Sequence, residues 1–181
     1  QFPTLRIHHK ANSGHGPTIL LGYRENSEIP WVFQTDSDDE LPPDSFIQLW
    51  EKRNEFDFLI GSRSERNQPK PRKIISAISR TTVRLFYRKG VYDVNSPYRL
   101  MRTERLKTLF QLIPSDTFAP NVIVSGMAGL RKLRIFQIEV PHQNRKTGEV
   151  SIKKWKLFKV SLRSFRQTIA FRFSKAAKNF K

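Results

Sequence analysis

The sequence contains no cysteine. A disulfide framework, a thiolate metal site and a cysteine nucleophile are therefore excluded, and any chemistry falls to carboxylates, histidine, arginine, lysine and the backbone. No apolar run approaches the ~20 residues that a membrane-spanning helix needs, and the N-terminal stretch "QFPTLRIHHK" lacks the basic-then-apolar order of a signal peptide. Acidic residues are scarce, 16 Asp and Glu against 33 Lys and Arg, for a formal net charge of +17. They are also unevenly placed: eleven lie between Glu25 and Glu65 and none follows Glu149, while the last 32 residues carry ten Lys or Arg. Two surfaces of opposite electrostatic character are implied. What is present is enough for a core, since 181 residues with 38% hydrophobic content, 14 Phe and 3 Trp make one domain of ordinary size.

Hydrophobic periodicity alternates between strand and helix. Residues 5–8, "LRIH", read as a short strand, and the turn "NSGHGP" feeds a helix through "TILLGYREN". "WVFQT" and "FDFLIGSR" are buried strands, separated by "LPPDSFIQLWEKRN", where proline opens a helix and Phe46, Leu49 and Trp50 recur at helical spacing. "PRKIISAISRTTVRLFYRKG" opens with Pro, closes with Gly and places Ile74, Ile75, Ile78, Leu85 and Phe86 on one stripe of a helix. "YDVNSPYRLMR" and "LRIFQIEVP" are strand-like, with helices at "TERLKTLFQLI" and "APNVIVSGMAGLRK" between them. Such alternation predicts an α/β layered fold with a largely parallel sheet, in which ligands bind beyond the carboxyl ends of the strands.

The acids gather at that place. Asp36, Asp38, Asp39 and Glu40 directly follow the strand "WVFQT". Carboxylates this close raise one another's pKa unless a cation shares the site. A hard divalent ion is the natural partner, because it takes oxygen ligands and uses one or two protein carboxylates alongside substrate phosphates. From the residues alone a solvated acidic loop capping the helix near Pro43 is the more common reading of such a pair.

The ordered series "NSGHG", "FQTDSDDELPPDSF", "FDFLIGSR", "DVNSPYRLMR" and "VPHQNRKTGEVSI" resembles family 2 glycosyltransferases of the GT-A fold. Within that family it is most similar to the branch of dolichol-phosphate mannose synthases and bacterial polyprenyl-phosphate glycosyltransferases. The resemblance runs from about Lys10 to about Trp155. It implies a Rossmann-like, mostly parallel sheet flanked by helices, and an inverting transfer from a nucleotide-sugar donor with Mg2+ or Mn2+ as cofactor. By the resemblance Asp36 and Asp38 hold the metal, with Asp39 and Glu40 in support, while Arg63 and Arg145 meet the donor's phosphates. Asp93 and Arg99 fall in the family's catalytic segment, and His142 stands near the flexible basic loop that carries Arg145. Some relatives place an Asp just before the aromatic of this segment. Here that position is Pro97, so a base is absent there and a phosphate acceptor, already ionised at neutral pH, is favoured over a hydroxyl. The family fold normally begins with a further strand and a nucleoside-holding segment that nothing before Leu5 supplies, which implies a domain incomplete at its N-terminus.

Residues 1–151 are thus expected to form a partial catalytic domain and 152–181 a basic amphipathic helical tail. In the tail, Trp155, Phe158, Leu162, Phe165, Ile169 and Phe173 follow helical spacing among Lys156, Lys159, Arg163, Arg166 and Arg172, a pattern suited to an anionic membrane surface, to a core-packing helix with a solvated cationic face, or to one at each end. A peripheral enzyme on the cytoplasmic face of a membrane, acting on a lipid-phosphate acceptor, is the expectation. The alternatives are a non-catalytic module of the same fold and, from the pI of 10.6, a nucleic-acid-binding protein. No nucleic-acid partner is expected, because no zinc, RNP-like or helix-turn-helix signature is present and the acidic cluster would repel a phosphate backbone.

Overall fold

The computed structural model describes residues 6–37, 40–63, 70–87, 91–141 and 154–180, with the backbone alone for 70–76 and 154–158. The chain order is α1 (His15–Glu25), β1 (Trp31–Gln34), α2 (Phe46–Glu51) flanked by short 3-10 turns, β2 (Phe58–Arg63), α3 (Lys70–Tyr87), β3 (Arg99–Arg102), α4 (Thr103–Leu112), α5 (Pro120–Leu130), β4 (Ile135–Val140), α6 (Lys154–Phe173) and α7 (Lys175–Asn179).

The four strands form one mixed sheet in the order β1-β3-β2-β4. β3 runs antiparallel between β1 and β2, and only β2 and β4 pair in parallel. The expectation of a largely parallel sheet is corrected in this respect. The chain before β3 turns at Val94 and Asn95 instead of extending, so β3 begins only at Arg99 and enters the sheet from the end where β1 and β2 finish. The expected strand at residues 5–8 is also corrected: residues 6–8 are irregular, and Ile7, 71% exposed, has no core to enter.

Side-chain alternation divides the sheet into two faces. Val32, Phe58, Ile60 and Met101 point to the larger core, shared with α1, α3, α4, α5, α6 and α7. Trp31, Phe33, Leu59, Leu100 and Val140 point to a smaller core beneath α2, closed by Leu41 and Leu49. α5 is apolar nearly all round and lies at the centre of the larger layer, with residues 120–128 buried throughout. Gly126 lets it approach α3, because a Cβ there would stand 2.7 Å from the Tyr87 ring.

Two helices turn different faces inward from those their spacing suggests. In α3 the core takes Val83 and Tyr87, while Ile78 and Leu85 are 49% and 74% exposed. In α6 Thr168 and Phe171 are buried, and α7 adds Ala177 and Phe180 to the same core. The basic tail is therefore packed onto the domain, with Leu162 and Phe173 of its predicted stripe left outside. Among the described residues no helix is long and apolar enough to cross a membrane.

Candidate functional site

β1 and β2 finish, and β3 starts, at the same rim of the sheet. The register sets Gln34 beside Arg99 and Arg99 beside Ile60, so all three face the larger core. A polar bed forms there. The Tyr23 hydroxyl of α1 lies against Gln34 Oε1 and 2.7 Å from Asn121 Oδ1, and Asn121 Nδ2 donates to Gln34 Oε1 at 3.0 Å. Gln34 Nε2 is buried without a partner among the described residues. Burial pushes the Tyr23 phenol far up; Arg99 draws it partly back and Asp36 adds to the rise. These causes place both charges within reach of the ring.

Arg99 is wholly buried. Its Nε donates to Ser96 O at 2.9 Å, Nη2 to Ser96 O and to Val94 O at 3.4 Å, and Nη1 to Asn121 O at 3.2 Å and Ser125 Oγ at 3.3 Å. Burial holds its pKa below the usual arginine value, with Tyr23 and Asp93 opposing that fall. A guanidinium enclosed in this way stitches the 94–96 loop to α5 and does not reach solvent. The described contacts of Arg99 are all with groups of the fold itself; the resemblance implies a catalytic role for it.

Arg63, the last residue of β2, is bound to Asp93 by Nε–Oδ2 at 2.8 Å and Nη2–Oδ1 at 3.1 Å, with side chains only 17% and 14% exposed. Burial acts to raise the Asp93 carboxyl, yet the hydrogen bonds and charge of Arg63 hold it below the ordinary carboxylate range. Burial likewise lowers Arg63, and Asp93, Asp36 and Glu40 together raise it further. Asp36 and Glu40 therefore belong to the same electrostatic neighbourhood as Arg63. Gly61 of β2 is required by packing. A Cβ there would stand 2.3 Å from Val140 Cγ2 and 2.8 Å from Tyr98 Cδ1, so its role is to seat Tyr98. Tyr98 in turn holds the segment after the acidic cluster, its hydroxyl 3.2 Å from both Pro42 O and Pro43 O.

The rim thus gathers Asp36, Glu40, Arg63, Asp93 and Arg99 from three separate stretches of sequence. Asp38, Asp39, His142 and Arg145 lie outside the described residues. Among the described residues no three acidic or histidine side chains converge on one point. Carboxylates such as those of Asp36 and Glu40 are the oxygen donors that a hard ion takes, one or two at a time, alongside phosphate and water oxygens. Sequence reasoning missed Tyr23, Gln34, Asn121 and Ser125. Asn121 and Ser125 had one available signal, as polar side chains four apart inside an otherwise apolar helix. Nothing local marked Tyr23. No family model matches the chain, and no curated protein matches it.

Proposed function

We propose that this chain carries the phosphate-handling part of a family 2 glycosyltransferase, moving a sugar from a nucleotide-sugar donor to a polyprenyl phosphate at the cytoplasmic face of a membrane. The observation that carries the reading is that Asp36, Glu40, Arg63 and Asp93 share one electrostatic neighbourhood at the rim of the sheet, with three of the five segments of the family-like series contributing a charge there.

In this reading Asp36 and Asp38 hold Mg2+ or Mn2+, with Asp39 and Glu40 supporting. The ion, when bound, neutralises charge on the leaving diphosphate. Arg63 is fixed by Asp93 along its Nε–Nη2 edge, so its charge is already oriented toward the rim and needs no reorganisation as the diphosphate departs. Arg145 would meet the same anion from the basic loop, with His142 beside it. An acceptor phosphate oxygen forms the new bond to the anomeric carbon, and the electron pair of the breaking bond leaves on the diphosphate oxygen. No proton has to be removed, which agrees with Pro97 in place of a base and with an Asp93 engaged by Arg63.

The test is transfer of labelled sugar from each common nucleotide-sugar to polyprenyl phosphate, with Mn2+ or with chelator, followed by organic extraction. Metal-dependent transfer that falls by about 100-fold or more in Asp36→Ala and in Asp38→Ala is expected. Transfer unchanged in both variants would remove the ligand assignment, and no transfer with any donor would favour a non-catalytic module.

A further inference from the structure

α3 and α6 lie side by side. Tyr87 donates its hydroxyl to Thr168 O at 2.6 Å, Arg172 Nε donates to Phe86 O at 2.7 Å, and the Phe86 and Phe173 rings meet edge-on with centroids 6.1 Å apart. Each helix turns one face outward. On α6 the residues at 159, 162, 163, 166, 170 and 173 are all exposed, and on α3 those at 77, 78, 81, 84 and 85. These faces carry large apolar side chains where solvent would favour polar ones: Ile78 is 49% exposed, Leu85 74%, Leu162 41% and Phe173 60%. A single exposed leucine carries no message. Here four such residues share two touching helices, at helical spacing of seven on α3 and eleven on α6.

The charge around them is of one sign. Neither helix contains Asp or Glu. Arg84, Lys159 and Arg166 are exposed and have no carboxylate partner among the described residues. Arg163 is answered at 3.0 Å by Asp116, a pair more than half exposed on both sides and easily exchanged for an anionic head group. Apolar side chains interspersed with uncompensated cations match the boundary of an anionic bilayer, where acyl chains receive the former and head-group phosphates the latter. α3 also touches the rim: the Arg80 guanidinium stacks 4.0 Å above the ring of Tyr92, the residue before Asp93. A membrane seated on this face would bring a lipid phosphate alongside the Asp93 loop.

We infer that the outward faces of α3 and α6 form one docking surface for an anionic lipid bilayer, with α3 supplying the half nearer the rim. The inference deepens the transferase reading, on which its choice of a lipid partner rests. Its test measures binding in the absence of donor and acceptor, so that failure of binding and failure of transfer are separate results.

The full chain is sedimented with phosphatidylcholine vesicles and with vesicles containing about 30 mol % phosphatidylglycerol, alongside a duplex oligonucleotide competitor at the same ionic strength. Binding to the anionic vesicles alone, weakened by salt, is expected. Ile78→Ser with Leu85→Ser should reduce partitioning about tenfold while leaving the thermal midpoint unchanged, and Leu162→Ser on α6 should reduce it in the same direction. Arg84→Glu with Arg166→Glu provides a second probe that leaves the four exposed apolar side chains in place, and it should reduce partitioning by a similar factor. An α3 pair and a charge reversal that both partition like the unsubstituted chain would overturn the surface. So would equal binding to neutral vesicles, or preference for the oligonucleotide.

Discussion

Arg63 and Asp93 meet edge to edge through two parallel hydrogen bonds, and the backbone N–H of Arg63 adds a third to Asp93 Oδ2 at 3.3 Å. The carboxylate is thereby committed to holding the arginine. A group whose pKa is pulled down in this way is a weak proton acceptor, so its part at the rim is to fix a positive charge.

Asp93→Asn is expected to lower unfolding stability at neutral pH by about 3 kcal/mol, because it leaves a nearly buried guanidinium without its counter-charge. The folded carboxyl titrates below its unfolded value, so the stabilisation is present above the unfolded pKa of about 3.9 and is lost as pH falls through the folded value. Urea unfolding from pH 7 down to about pH 2 should show the two proteins converging below about pH 4. A gap constant across that range would mean that the charge is not what stabilises the contact.

Arg99→Lys keeps a positive charge but loses the planar fork that reaches Ser96 O, Val94 O, Asn121 O and Ser125 Oγ together. Stability should fall by about 3 kcal/mol, with carbonyls left unpaired in the core. Chemical denaturation checks this, and a loss below about 1 kcal/mol would show that the buried network is dispensable.

Two glycines should respond in opposite directions. Gly61→Ala drives a methyl into Val140 and Tyr98 and is expected to cost about 1–3 kcal/mol. Gly22→Ala, on α1 with nothing within 4 Å of the new carbon, should stabilise by about 0.5–1 kcal/mol. Thermal melts of the two variants side by side decide the matter.

Asp57 supplies a comparison remote from the rim. It precedes β2, accepts from Arg134 Nε at 3.0 Å and Nη2 at 2.9 Å, and lies 3.2 Å from Arg102 Nε. The Arg134 hydrogen bonds hold its carboxyl low. Asp57→Asn should therefore lower the thermal midpoint at pH 7 and have less effect below about pH 4, with donor affinity unaltered. Weakened donor binding at full fold stability would contradict the placement of the site at the other end of the strands.

The strands at 31–34 and 58–63, the helices at 103–112 and 120–130, and the position of Asp36 after β1 were all legible in the chain. Each rests on local pattern: β-branched and aromatic runs for the strands, 3.6-residue spacing for the helices, and acids where an apolar run ends. The strand expected at 5–8 failed because period-two alternation describes a segment that could pair without supplying a neighbour for it. Of the stripe assigned to α3, Phe86 packs against the core, whereas Ile78 and Leu85 face outward, since Tyr87 on the side opposite Leu85 takes the seat against Gly126.

The sequence by itself determined the alternation of helix and strand, the segregation of acids from bases and the candidate ligands at 36 and 38, because these depend on neighbours along the chain. Only the tertiary structure decided that β3 enters reversed between β1 and β2, that Asp93 clamps Arg63, that Arg99 is sealed among carbonyls and that α3 and α6 share an outer face. Each involves partners more than 20 positions apart, set by which apolar faces bury together, and no local spacing encodes them.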